Sequence, residues 1–218
     1  MTVISFRPYI FLLCLFIFLS EIQAQNNQIQ PRFLLSIMNA NTMLPGKGDL
    51  YLSSTKVHFG FNFGVEYDIK NSLKRQWIYS FNTGYFYHKD VQHAIRLFGD
   101  IGYRRYLFST NFSLESRFGL GYLHSIPDLQ VFKLNQEGNY INGKGFGRAQ
   151  AMAALSIAPS YTFRRTGLNP IRIFIDYQFM IQTPFVNNYV PILPYNLFHI
   201  GVSTPIHSCF KKAHHENK

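Results

Sequence analysis

Between Val57 and Asp68 the chain alternates without a break. Val57, Phe59, Phe61, Phe63, Val65 and Tyr67 take the odd positions, and His58, Gly60, Asn62, Gly64, Glu66 and Asp68 the even ones. A period of two puts successive side chains on opposite faces of an extended strand, and no helix reproduces it. The same rhythm returns along the chain. Trp77, Tyr79, Phe81, Thr83, Tyr85 and Tyr87 share one face. Ile95, Leu97, Gly99, Ile101 and Tyr103 share the next, and Phe112, Leu114, Ser116, Phe118, Leu120 and Tyr122 the one after. Ala149 to Tyr161, Ile171 to Ile181 and Phe198 to Ile206 follow, with Phe210 in the same parity, and a weaker stretch at 33–37 supplies a first strand. Eight strands are predicted.

Alternation alone does not separate a membrane barrel from a soluble sandwich or a lipocalin-like cup. The second face decides between them. None of the ten lysines lies inside a predicted strand, so the polar faces are not ordinary solvated surfaces. They carry small and amide residues together with charges of both signs: Glu66, Arg96, Asp100, Arg104, Glu115, Arg117, Arg148, Arg172 and Asp176. A narrow eight-stranded barrel fills its interior with side chains, and opposite charges compensate one another there. Aromatic residues gather toward strand ends, Tyr67, Trp77, Tyr79, Tyr103 and Phe112 at one level and Tyr85, Tyr87, Tyr122 and Tyr177 at the other, as two interfacial girdles require. The connections (40–56, 69–76, 88–92, 105–110, 123–147, 164–169, 183–195) put three of the four alternate loops among the longest. Such asymmetry is expected when both termini lie on the periplasmic side.

Composition agrees. Aromatics make up 17% of the chain and charged residues 15%, against roughly 25% charged in ordinary soluble domains. At the start, Arg7 precedes an apolar run from Tyr9 to Leu19, and Ala24 offers a small residue for cleavage. This reads as a signal peptide over 1–24, because a spanning helix needs roughly 20 apolar residues. The barrel is then expected over 25–210 and a periplasmic tail over 211–218. The mature part keeps a single cysteine, Cys209, and hence no internal disulfide. The net charge of +10 survives removal of the signal. In an exported chain it points to phosphorylated or acidic glycolipid rather than to nucleic acid.

The alternating strands, together with Phe118-Gly119-Leu120-Gly121-Tyr122 and Gly99-Asp100-Ile101-Gly102-Tyr103, resemble the outer-membrane β-barrel superfamily, in particular the small porin-like barrels of Bacteroidetes-type bacteria. The resemblance spans the whole mature chain and implies an all-β, antiparallel, up-and-down transmembrane barrel. Barrels of this kind often end on a terminal aromatic, whereas here eight residues follow Phe210.

Candidate chemistry is sparse. His88, Asp90, His93 and His124 fall near the outer ends of neighbouring strands and offer imidazoles beside a carboxylate, although His88 and His93 have opposite parities. The adjacent pair His124 and Ser125 only loosely resembles the His-x-Ser of lipid A deacylases, because neighbours on a strand point apart; Pro127 could release the chain from the strand there. Gly143 to Gly147 lacks phosphate-loop spacing, and His214 and His215 belong to a solvated tail. The expectation is therefore a non-enzymatic outer-membrane protein with no cofactor, no metal and no catalytic residue. Its lumen is lined by the charge network Glu66, Arg96, Asp100, Arg104, Glu115, Arg117, Arg172 and Asp176. Its loops would meet outer-membrane lipid, lipopolysaccharide or an extracellular or envelope protein. The alternatives are a lipid A or phospholipid hydrolase and a narrow solute pore. A tight turn near Phe108 and Ser109 would place Asp100 opposite Arg117.

Overall fold

The computed structural model describes residues 31–42, 57–71, 74–89, 91–108, 110–128, 132–135, 138–142, 145–164, 170–186 and 189–206. The expected signal peptide (1–24) and tail (211–218), along with Asp90, lie outside them. Eight long strands form the wall: β1 (Arg32–Thr42), β2 (Phe59–Asn71), β3 (Arg75–His88), β4 (Gln92–Tyr106), β5 (Phe112–Pro127), β8 (Arg148–Phe163), β9 (Ile171–Thr183) and β10 (Leu193–Pro205). The two short strands β6 (Phe132–Leu134) and β7 (Tyr140–Asn142) form a separate hairpin in the β5–β8 loop. Every wall strand pairs antiparallel with its neighbours in sequence, and β1 closes on β10, so no edge remains. Arg32 lies beside both Pro205 and Glu66, which puts the first and last strands' outer ends at one mouth.

The period-two pattern sets the two faces. Phe59, Phe61, Phe63, Phe81, Leu97, Leu120, Leu155, Ile173 and Ile200 all point outward and are exposed. The even positions 60–66 of β2 and 78–88 of β3 turn inward and are buried. Wall strands of 11 to 16 residues meet or exceed the roughly 9–11 that a tilted strand needs to cross a bilayer. An apolar outside, a polar inside and no open edge together make a membrane-spanning barrel. Around the terminal mouth, Tyr67 stacks on Tyr79, Trp77 meets Tyr103 edge-on and Tyr161 meets Phe163. The second girdle holds Tyr85, Tyr87 and Tyr122. Tyr177 does not belong to it: it sits mid-wall between Ile157 and Phe198.

Three expectations need correction. The β4–β5 turn is centred one residue later than predicted, between Tyr106 and Phe112, with Leu107 N donating to Phe112 O and Phe108 at φ 57°. Opposed residues therefore sum to 219 rather than 217: Asp100 faces Gly119, and Arg117 faces Gly102. A slip of two keeps every side chain on its face, so Asp100 and Arg117 still meet, diagonally, at 3.6 Å. Second, β5 continues through Pro127, so His124 and Ser125 remain in the strand. Third, Lys70 lies within the last residues of β2, one place past a register shift.

The bore is tight enough to require glycine. A Cβ on inward-facing Gly121 would sit 2.3 Å from Leu97 O and 2.4 Å from Phe98 Cβ on β4. Gly121→Val is expected to destabilise the barrel by at least about 1–3 kcal/mol. Urea unfolding in lipid vesicles measures this, and a midpoint equal to wild type would show that β4 and β5 are not so closely apposed.

Candidate functional site

Three layers of inward side chains fill the lumen, and they differ in chemistry. In the half nearer the terminal mouth, Glu66 and Glu115 are fully buried among three guanidiniums. Arg104 Nη2 donates to Glu66 Oε1 at 2.6 Å and its Nε to Glu115 Oε1 at 2.7 Å. Arg117 Nη2 donates to Glu66 Oε2 at 2.7 Å and also reaches Glu115 Oε2. Arg172 Nη2 donates to both Glu66 oxygens at 2.9 Å. Asp68 joins at 3.5 Å from Arg104, and Asp100, bound by Ser80 and Asn82, joins through Arg117. Strands β2, β4, β5 and β9 each contribute to this cluster. It exists because their inward positions come level when the sheet closes.

Six of the eight charges expected in the lumen belong to the cluster, together with Asp68, which parity also aims inward. Arg96 and Asp176 do not. Arg96 lies above it, bonded to Gln178 Oε1 at 2.9 Å, against Met38 and Met180 sulfurs, and over the Phe86 and Phe98 rings. Its hydrophobic lining was not anticipated. Met38, Phe86, Leu123, Met180, Tyr195 and Leu197 make the outer half of the bore an apolar core. Asp176 lies opposite His199 beside a chamber of about 30 Å³ also lined by Ser36, Asn62 and Ser156, room for a water molecule. Nearer the loops comes an amide layer. Gln92 and Gln182 exchange hydrogen bonds of 2.7 and 3.0 Å, Gln92 donates to Tyr195 OH at 2.9 Å, Ser125 donates to Gln92, and Gln182 donates to Gln150 at 2.6 Å. His58 and His88 stack at 3.6 Å beside it.

The rim histidines do not converge. His88 faces inward and is buried in that stack. His93 and His124 sit on the outer wall. His93 Nδ1 is 2.8 Å from Tyr85 OH, its ring stacks on Tyr87, and its Nε2 lies 3.6 Å from Asp128 Oδ1. Tyr87 OH donates to Asp128 Oδ2 at 3.0 Å. His124 is held by Tyr122 OH and Phe146 O, both at 2.8 Å. Ser125, its neighbour, is buried inside the barrel. Sequence reasoning did not find Asp128 or the Tyr85–His93 contact, although equal parity on β3 and β4 was a usable signal.

No protein-family model matches the chain, and no curated protein matches it either. Among solved structures, the neisserial surface protein A is similar with a TM-score of 0.48 and 10% identity, over 83% of this chain and 98% of that one. The outer membrane enzyme PagL gives 0.45 and 7%, over 80% and 99%. The attachment invasion locus protein Ail of Yersinia pestis, in complex with the heparin analogue sucrose octasulfate, gives 0.42 and 12%, over 82% and 99%.

Proposed function

We propose that the chain is a non-enzymatic outer-membrane barrel that presents its long loops to outer-membrane lipid, lipopolysaccharide or an extracellular or envelope protein. The observation that carries this reading is the doubly sealed lumen. A buried ion cluster near one mouth and an amide and aromatic layer near the other leave the loops as the part able to meet a partner. Tyr140 is 77% exposed, Phe146 99% and Tyr189 85%, all beyond the end of the wall opposite the termini. Exposed aromatics on loops held by a rigid scaffold suit recognition. A solute pore would need an open bore. Reconstituted in a planar bilayer, the protein is expected to conduct no more than a lipid control, and discrete channel steps would favour the pore.

A hydrolase would need a serine within reach of a base where lipid can approach, and Ser36 Oγ, 3.4 Å from His199 Nδ1, is buried inside the bore. The hydroxyls that reach the outward histidines are phenols, those of Tyr85 and Tyr122, while Ser125 is on the other side of the wall. Refolded protein is therefore expected to release no fatty acid from vesicles containing lipopolysaccharide or phospholipid. Release that disappears in both His93→Ala and His124→Ala, with the barrels still folded, would replace this reading with the enzyme.

A further inference from the structure

The mouth beside the chain's first and last strands opens into a cup of about 380 Å³. Its lining includes Arg32, Arg104, Arg164, Arg172, Asp68 and Tyr106. The volume is of the size that holds a small solute. Two of its guanidiniums are spoken for: Arg104 and Arg172 hold Glu66 and Glu115 in the floor. The other two are not. Arg32 donates from Nε to Ser203 Oγ at 3.0 Å and from Nη2 to the carbonyls of Pro170 and Ser203 at 3.2 and 3.3 Å. Arg164, exposed at the rim, donates to Thr110 O at 3.2 Å. All these acceptors are neutral, and neither arginine has a carboxylate partner among the described residues.

Charge counting leads the same way. Arg32, Arg104, Arg117, Arg164 and Arg172 stand against Glu66, Asp68, Asp100 and Glu115, leaving one positive charge in excess at this end, and Arg32 and Arg164 line the opening itself. Beneath the cup, the buried Arg172 Nε is a donor without a partner among the described residues. Such excess charge raises the local concentration of anions. Neutral acceptors fix the Arg32 guanidinium through Nε and Nη2 without neutralising it, so its charge and its Nη1 N–H groups remain for an oxyanion.

We infer that this cup is a binding site for a small solute bearing a phosphoryl or carboxylate group, taken up through the mouth at which β1 begins and β10 ends. Asp68 does not abolish it, because that carboxylate already faces Arg104. The site stands apart from the role of the loops at the other end, so the failure of either proposal leaves the other intact.

The experiment is calorimetric titration of the folded full-length barrel in uncharged detergent at low ionic strength. Pyrophosphate and citrate are the probes. Saturable binding is expected, weakened by about tenfold in Arg164→Gln and in Arg32→Gln, in line with losing one charge-assisted contact. Arg148→Gln, at the opposite mouth, is expected to bind as wild type. Tighter binding of pyrophosphate would assign the phosphoryl class, and tighter binding of citrate the carboxylate class. Arg164 is exposed, so its variant tests the site without disturbing the wall. No saturable binding of either probe, or equal binding by wild type and Arg164→Gln, overturns the inference.

Discussion

Glu66→Gln is expected to lower the unfolding free energy by about 3–5 kcal/mol, the range for breaking a buried ion cluster by removing one member. Glu66 is fully buried and accepts from Arg104, Arg117 and Arg172. Glutamine keeps the size but replaces one acceptor oxygen by an NH₂, which then faces guanidinium donors that need an acceptor. Glu115 is then the only central carboxylate among three arginines, with Asp68 and Asp100 at the edge of the cluster, each 3.5–3.6 Å from one guanidinium. The penalty is large because taking a charge out of water costs several kcal/mol, and in the free lumen only a partner offsets it. Combining Glu66→Gln with Arg172→Met removes the guanidinium that uses both Glu66 oxygens, so the double variant should be more stable than Glu66→Gln alone. Urea titration of refolded barrels in vesicles gives both comparisons. An unchanged midpoint for Glu66→Gln would mean that water already reaches the cluster.

That cluster was largely legible beforehand. In a barrel, parity alone decides inside from outside, and Glu66, Arg104, Glu115, Arg117 and Arg172 all carry inward parity in alternating strands. Their level along the axis was less accessible. It depends on where each turn is centred, and a β4–β5 turn centred one residue later than expected moved β5 by two places relative to β4. The shift preserved faces, and so the charge set, while replacing the direct Asp100–Arg117 pairing by a diagonal one. Arg96 and Asp176 lie in the lumen as expected but outside the hydrogen-bonded cluster, for a related reason. Their faces were right, but both sit higher in the bore, where Arg96 is surrounded by Met38, Met180, Phe86 and Phe98. The outward histidines show the converse limit: parity separated His88 from His93, but the carboxylate beside His93 comes from Asp128 at the end of another strand. The β6–β7 hairpin was missed because three-residue strands are too short to display a period.

Least legible was the amide layer, since glutamine at an inward position looks like any polar filler. Gln92 begins β4, Gln150 lies near the start of β8, and Gln182 lies near the end of β9, so only closure of the sheet unites them. Within the layer Gln92 uses both ends of its amide: its nitrogen donates to Gln182 and Tyr195, and its oxygen accepts from Gln182 and Ser125. Gln92→Leu therefore leaves the buried Ser125 hydroxyl and one side of the buried Gln182 amide without partners, at roughly 1–3 kcal/mol each. Gln182 keeps its bond to Gln150, so its share falls toward the lower end of that range. Replacing both partners should behave differently. In Gln92→Leu with Gln182→Leu the reciprocal amide pair is gone as a unit beside the apolar Leu193. The Gln182 share of the loss should return, and the double variant should lose less than the sum of the single losses, although Ser125 and Gln150 still lack the bonds they lost. Urea midpoints again give the measurement, with the double variant compared against Gln92→Leu. A double variant that loses the sum of the two single losses would show that the amides act independently. Conductance supplies a second reading. Gln92→Ala thins the outer seal but leaves the Glu66, Glu115, Arg104, Arg117 and Arg172 cluster across the bore below it, so the variant should remain closed in a planar bilayer. Channel steps in Gln92→Ala would mean that the ion cluster does not block the lumen and that the amide layer alone does.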